Sequence, residues 1–212
     1  MNDLLQEYVE LYLEKIRSKS DYGEKKKFSF QEFKSITDFD DINQYASWRL
    51  ELLGEGSARN VYAFSNKYVL KVAYNDKGID QNFAELDAIT NPKLKNLFAE
   101  IKDYDPNGIW LVSEMVRRVS NDEFENMTGI NPDVYETLVF DYGKHKVATQ
   151  YFNLLEPAAQ RWFLDVYDLI KTGDMARGDL YQPKHWGKTP DGRLVLYDYG
   201  LTNSVYAKHY KE

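Results

Sequence analysis

The stretch Leu53-Gly54-Glu55-Gly56-Ser57-Ala58-Arg59-Asn60-Val61-Tyr62 decides how this chain is to be read. Gly54 and Gly56 follow Trp48–Leu53, which reads as a strand, and precede a second one, Val61–Phe64. A third, Tyr68–Ala73, comes after the turn Ser65-Asn66-Lys67, where Asn tolerates tight-turn backbone angles. A dinucleotide-binding glycine loop opens a helix; this one sits between strands. Glycines in that setting let backbone N–H groups approach phosphates with no side chain in the way. A plain β-hairpin with a glycine turn is the competing explanation.

One hairpin further on, Lys71 lies inside Val69-Leu70-Lys71-Val72-Ala73. Strand alternation puts it on the face opposite Leu70 and Val72. It is either a surface lysine with a buried stem or a cation reaching phosphates under the glycine loop. In the second case it needs an anion, and Glu85, on the expected helix Gln81–Ile89, is the natural partner. Asn91-Pro92 ends that helix. Strands are expected at Ile101–Asp103 and Ile109–Val112, joined by the turn Asp105-Pro106-Asn107-Gly108.

Beyond Met115 the pattern turns helical. Ser120 with Glu123 reads as a capping box, and Asn131-Pro132 as a cap with proline at the first helical position. Gly143 would end that helix. Pro157 opens another, with Trp162, Val166, Leu169 and Ile170 on one face and Gly173 at its end. Trp186-Gly187-Lys188, the turn Thr189-Pro190-Asp191-Gly192 and Arg193–Tyr197 form a hairpin. Asp198 ends its second strand ahead of Gly200. It is either a Mg²⁺ ligand, since hard cations prefer oxygen, or an ordinary strand-ending carboxylate. Asp179, in Arg177-Gly178-Asp179-Leu180, either positions a hydroxyl nucleophile or accepts its proton, or is a loop aspartate.

Upstream of Trp48, residues 3–17 read as an amphipathic helix with Leu5, Val9, Tyr12 and Ile16 on its apolar stripe. That stripe has to be covered, by the rest of the chain or by a second copy in a homodimer. A short helix follows over 29–36, then a linker to Trp48. Three parts are expected: an N-terminal helical extension (1–47), a strand-rich lobe (48–115) and a mostly helical lobe (116–212). The class is α+β with two lobes.

These pieces, in order from about 50 to 202, resemble the protein-kinase superfamily. Leu53–Tyr62 looks like its glycine-rich loop, Val69–Ala73 its lysine strand, and Asn82-Phe83-Ala84-Glu85 the helix whose glutamate pairs with that lysine. Trp110–Met115 resembles the hinge that hydrogen-bonds adenine. Arg177-Gly178-Asp179-Leu180 is similar to the catalytic loop of RIO kinases and aminoglycoside phosphotransferases, and Asp198-Tyr199-Gly200 to the Asp-Phe-Gly metal motif. The chain also resembles kinase-like proteins of bacteriophages. The resemblance implies a kinase-like fold that binds ATP with Mg²⁺ and transfers phosphate to a protein or small-molecule acceptor. It implies nucleotide contacts from Gly54, Gly56, Ser57, Lys71, Glu114 and Met115. Lys71, Glu85 and Asp179 would be catalytic and Asp198 the metal ligand, holding at most one tight Mg²⁺.

The departures are specific. Arg59 stands where the third glycine is expected and Arg177 where histidine is usual. The metal-binding asparagine after Asp179 is missing, with Lys184, His185 and Trp186 in its neighbourhood. Only residues 201–212 follow Gly200, too few for the usual activation segment, so the C-lobe is expected to be truncated. These departures favour a different class of function, a pseudokinase that senses nucleotide or docks a protein. A variant that transfers AMP is a further alternative.

Composition narrows the field. A net charge of -7 and a pI of about 5.1 argue against a broad nucleic-acid face. Lys25-Lys26-Lys27 is the only dense basic run and reads as a solvated loop. There is no cysteine, hence no disulfide and no cysteine metal site. His145, His185 and His209 have no metal-ligand spacing. The sequon Asn126-Met127-Thr128 carries no weight without a secretory signal. Neither a signal peptide nor a membrane-length apolar run is present, so a cytoplasmic location is expected.

Overall fold

A computed structural model describes residues 27–172, 174–175 and 180–210. The expected helix over 3–17 lies outside them, as do Arg177 and Asp179.

Two short helices lead into the first sheet: α1 (Phe30–Lys34) and α2 (Phe39–Arg49). The second replaces the expected linker and runs through the expected boundary at 47/48. Its start is set by Asp38, whose carboxylate accepts the N–H groups of Asp40 and Asp41. Ile42, Tyr45 and Ala46 then repeat at i, i+3 and i+4 and are buried. Trp48 therefore belongs to a helix, and the first strand begins later.

Five antiparallel strands follow: β1 (Leu52–Glu55), β2 (Arg59–Ala63), β3 (Tyr68–Ala73), β4 (Ile101–Tyr104) and β5 (Trp110–Glu114). Their order is β1-β2-β3-β5-β4. In β3, Leu70 and Val72 point outward and join Tyr62, Trp110 and Val112 in a core sealed by Phe33, Ile42, Tyr45 and Ala46. Burying each such large apolar side chain contributes about 1.5–3 kcal/mol. Helices α1 and α2 are thus a layer of the strand-rich lobe. The alternation expected for Lys71 holds, since Val69 and Lys71 face a cavity on the other side.

Helix α3 (Asp76–Ala88) crosses that inner side. It starts five residues before the expected Gln81 because Asn75 caps it, accepting the Gly78 N–H at 3.0 Å. Beyond the β5–β6 connection lies a second sheet of β6 (Arg117–Arg118), β7 (Trp186–Lys188) and β8 (Leu194–Leu196), in that order. Its β7–β8 hairpin was expected; β6, two residues long, was not.

The second lobe holds α4 (Asn121–Thr128), α5 (Pro132–Asp141), α6 (Lys146–Leu154) and α7 (Pro157–Thr172). The capping box at Ser120 and Glu123 is present, and Asn131 caps α5. Helix α6 was not expected. It is amphipathic, but it has no side-chain cap to mark its start and only Ala148 of its residues is buried. Phe124, Tyr135, Phe163, Val166 and Trp186 lie in the core of this lobe. The last element, α8 (Asn203–His209), returns to α3. There Lys208 Nζ and His209 Nε2 meet Asp80 at 2.6 and 2.5 Å. Among the described residues no helix is long and apolar enough to cross a membrane.

Candidate functional site

Strand β3 carries Lys71 to the inner face of the first sheet, and α3 brings Glu85 opposite it. Lys71 Nζ donates to both Glu85 oxygens, at 2.9 and 2.7 Å, and to the Tyr197 carbonyl at 2.8 Å. Glu85 is completely buried. The pair expected from sequence is therefore formed, and the Tyr197 contact ties it to the segment that carries Asp198.

Arg59, at the start of β2, joins the same group. Its Nη1 lies 2.7 Å from Glu85 and 3.1 Å from the Asn82 carbonyl oxygen; its Nη2 lies 3.2 Å from Asp198. Asn82, one turn before Glu85, donates to the Gly108 carbonyl at 2.7 Å, which fixes its oxygen toward Arg59. Two cations, Arg59 and Lys71, thus share one buried carboxylate, and Asp198 balances the second. Burial lowers the Lys71 ammonium below its ordinary value. Glu85 opposes that shift and Arg59 adds to it. Burial acts to lower Arg59 as well, but Glu85 and Asp198 outweigh it and hold the guanidinium above its ordinary value.

Asp198 is the solvent-facing member, its side chain 65% exposed. Gly200 fixes its approach, because a Cβ there would lie 2.7 Å from the Gln81 carbonyl of α3. Next to it Tyr199 is buried against Phe98, with ring centroids 4.5 Å apart.

Gly54, Arg59, Lys71, Glu114, Met115 and Asp198 all line one cavity of about 300 Å³. A larger cavity, about 470 Å³, lies on the other side of α3 between Asp80, Phe83, Leu169 and Val205. The smaller one carries the charge cluster and so has the chemistry of a site. A Cβ on Gly54 would meet nothing within 4 Å, so packing within the chain does not require glycine there. Its absence of side chain leaves room for something else in the cavity.

Other expected residues fall elsewhere. Gly56 and Ser57 do not line the cavity. The Gly56 carbonyl accepts from Tyr74 and its N–H bonds Arg59, which turns the loop tip toward α3 and α8. Ser57 Oγ accepts from Lys77 at 3.0 Å and lies 3.2 Å from the Tyr210 hydroxyl. Glu114 does line the cavity, but its carboxylate is held by Arg193 at 2.7 Å. The Met115 N–H is committed to the Lys67 carbonyl at 2.7 Å. The Met115 N–H is thus not free to donate to a ligand, and the Glu114 carboxylate, an acceptor, already has a partner; Val116 borders the same space. Lys184 is exposed, and its carbonyl accepts from the Tyr197 hydroxyl at 2.8 Å. His185, in the short turn Pro183–His185, likewise presents its carbonyl to the Tyr197 N–H.

Among the described residues no three His, Cys, Asp or Glu side chains converge as a metal site. Mg²⁺ needs fewer protein ligands than that. One or two carboxylates with phosphate oxygens and water suffice, and the exposed Asp198 carboxylate at the cavity mouth meets that requirement.

No protein-family model matches the sequence, and no curated protein does. Solved structures similar to it include choline kinase LicA from Streptococcus pneumoniae, at 14% identity over 82% of this chain and 80% of that one, TM-score 0.37. The streptomycin–ATP ternary complex of APH(2")-IIa is similar at 12% identity over 78% and 71%, TM-score 0.37. SAICAR synthase from Saccharomyces cerevisiae is similar at 11% identity over 72% and 74%, TM-score 0.35. The assignment of an α+β, two-lobed, protein-kinase-like fold rests on the element order and the Lys71–Glu85 pair.

Proposed function

We propose that this chain binds a nucleoside triphosphate, ATP, in the 300 Å³ cavity and transfers a phosphoryl group to a hydroxyl acceptor. The observation that carries the proposal is the buried Lys71–Glu85 pair opening onto that cavity beside Arg59 and the exposed Asp198. Lys71, fixed by Glu85 and the Tyr197 carbonyl, is held in one position to grip phosphate oxygens. Gly54 leaves the phosphates room to lie against the backbone. Val61, Val69 and Val116 offer apolar surface to a base. Mg²⁺ at Asp198 would neutralise charge on the transferring phosphate, the part that dominates such reactions. Asp179 is assigned to orienting the acceptor hydroxyl, by its position in the Arg177–Leu180 motif.

A second proposal, a nucleotide-sensing module without turnover, draws on one observation. The segment at the missing asparagine packs on Tyr197 through the Lys184 and His185 carbonyls and offers no second carboxylate. Incubation of the full chain with labelled ATP and Mg²⁺, followed by intact mass and by measurement of released ADP, separates the two. ADP formation or a phosphoryl adduct supports transfer. An adenylyl adduct redirects the chemistry to AMP transfer. Binding with neither product, in the presence of added protein and small-molecule hydroxyl acceptors as well, supports the sensor.

A further inference from the structure

Arg59 occupies the place where a glycine would leave empty space, and its guanidinium reaches the cavity wall. It is 7% exposed and makes three polar contacts there: Glu85 at 2.7 Å, Asn82 at 3.1 Å and Asp198 at 3.2 Å. Glu85 already has a full partner in Lys71, so Arg59 brings a positive charge beyond what that carboxylate needs. Among the described residues the excess is met by Asp198, whose carboxylate is mostly in water. That contact is the weakest-held of the three, because an exposed ion pair contributes little. The Asn82 and Glu85 contacts are buried and keep the guanidinium in place whether or not Asp198 stays with it.

We propose that Arg59 is a resident counter-cation of the phosphate site, exchanging Asp198 for nucleotide phosphate and so holding nucleotide without a divalent metal. The inference rests on the nucleotide-binding function proposed above. A guanidinium is suited to the role. It is charged at every accessible pH, and it can keep its buried partners on one nitrogen while the other donates to a phosphate oxygen. Glu85 and Asn82 occupy Nη1, while Nη2 faces Asp198 and the cavity. A divalent ion arriving at Asp198 displaces the same contact, so Arg59 and metal act as alternatives for charge neutralisation and not as a fixed pair.

The test is ATP titration of the full chain by calorimetry, in excess EDTA and in Mg²⁺, for wild type, Arg59→Gln and Arg59→Lys. Wild type is expected to keep measurable affinity in EDTA. Arg59→Gln is expected to lose roughly tenfold or more in EDTA, the scale of one charge-assisted hydrogen bond, and to recover most of it with Mg²⁺. Arg59→Lys should fall between them. Wild-type binding that vanishes in EDTA overturns the proposal, as does an Arg59→Gln protein equal to wild type there. If Arg59→Gln does not fold, the wild-type comparison and Arg59→Lys decide. Absence of wild-type binding under both conditions sinks the nucleotide function itself, and this inference with it.

Discussion

The two faces of strand β3 are both buried, yet they are held by opposite chemistry. On the outer face Leu70 and Val72 are fully covered by Phe33, Ile42, Tyr45, Ala46 and Trp110. On the inner face Lys71 is 5% exposed and meets the Glu85 carboxylate, which it shares with Arg59, and the Tyr197 carbonyl. The outer face is non-directional: apolar side chains of similar volume serve about as well. The inner face is not interchangeable, because Lys71 and Arg59 share the one Glu85 carboxylate, and removing it leaves two buried cations without compensation. Stability alone would be met by an apolar inner face, so the charge there points to work on a ligand.

The sharpest way to break this contrast is Glu85→Ala. It leaves Lys71 and Arg59 facing each other with no buried anion, at a cost of about 3–5 kcal/mol. Denaturant unfolding should show that loss, and ATP should no longer raise the melting temperature. Leu70→Ala should cost stability on a similar or smaller scale, about 2–5 kcal/mol. Its folded fraction should bind nucleotide as wild type does. If Leu70→Ala weakened nucleotide binding as much as Glu85→Ala, the two faces would not be separable.

A smaller effect is expected at the far side of α3, where α8 clamps the helix that carries Glu85. Burial acts to raise the Asp80 carboxyl, but bonds from Lys208 and His209 outweigh it and hold it below its ordinary value. Its contribution to stability is therefore complete above the unfolded carboxylate value, about pH 4. It is lost as pH falls through the lowered folded value. Melting curves of wild type and Asp80→Asn should differ at neutral pH and converge in acid. Parallel curves down to the lowest pH would contradict the clamp. Smallest in stability is Gly54→Ala, expected to change it by less than about 0.5 kcal/mol. Because the added methyl enters the cavity, it should still reduce nucleotide affinity.

How much of this was legible in the sequence follows from the same contrast. Lys71, Glu85 and Asp198 were readable because strand alternation and order along the chain place a lone charge in an apolar run. Arg59 was visible only as a departure from glycine. Its role depends on Glu85, Asn82 and Asp198 converging from α3 and the β8 end, which no local pattern states. Ser57 and Gly56 fit the motif, yet the loop tip is pulled toward Lys77 and Tyr210, a tertiary contact. The segment of α2 reads as a linker, although Asp38 supplies a cap and Ile42, Tyr45 and Ala46 a buried stripe. Strand β6 is only two residues long, and helix α6, although amphipathic, starts at His145 with no side-chain cap to mark it.

The most direct test of the central claim is calorimetric titration of ATP with Mg²⁺ into wild type and Lys71→Ala. Lys71→Ala should remain folded, since Glu85 keeps Arg59 as a partner at 2.7 Å. Circular dichroism can establish that before titration. The expected result is one nucleotide per wild-type chain and an affinity at least roughly tenfold weaker in Lys71→Ala, the loss of one charge-assisted phosphate contact. A wild-type chain that takes up no nucleotide, or a folded Lys71→Ala that binds as tightly as wild type, would contradict it.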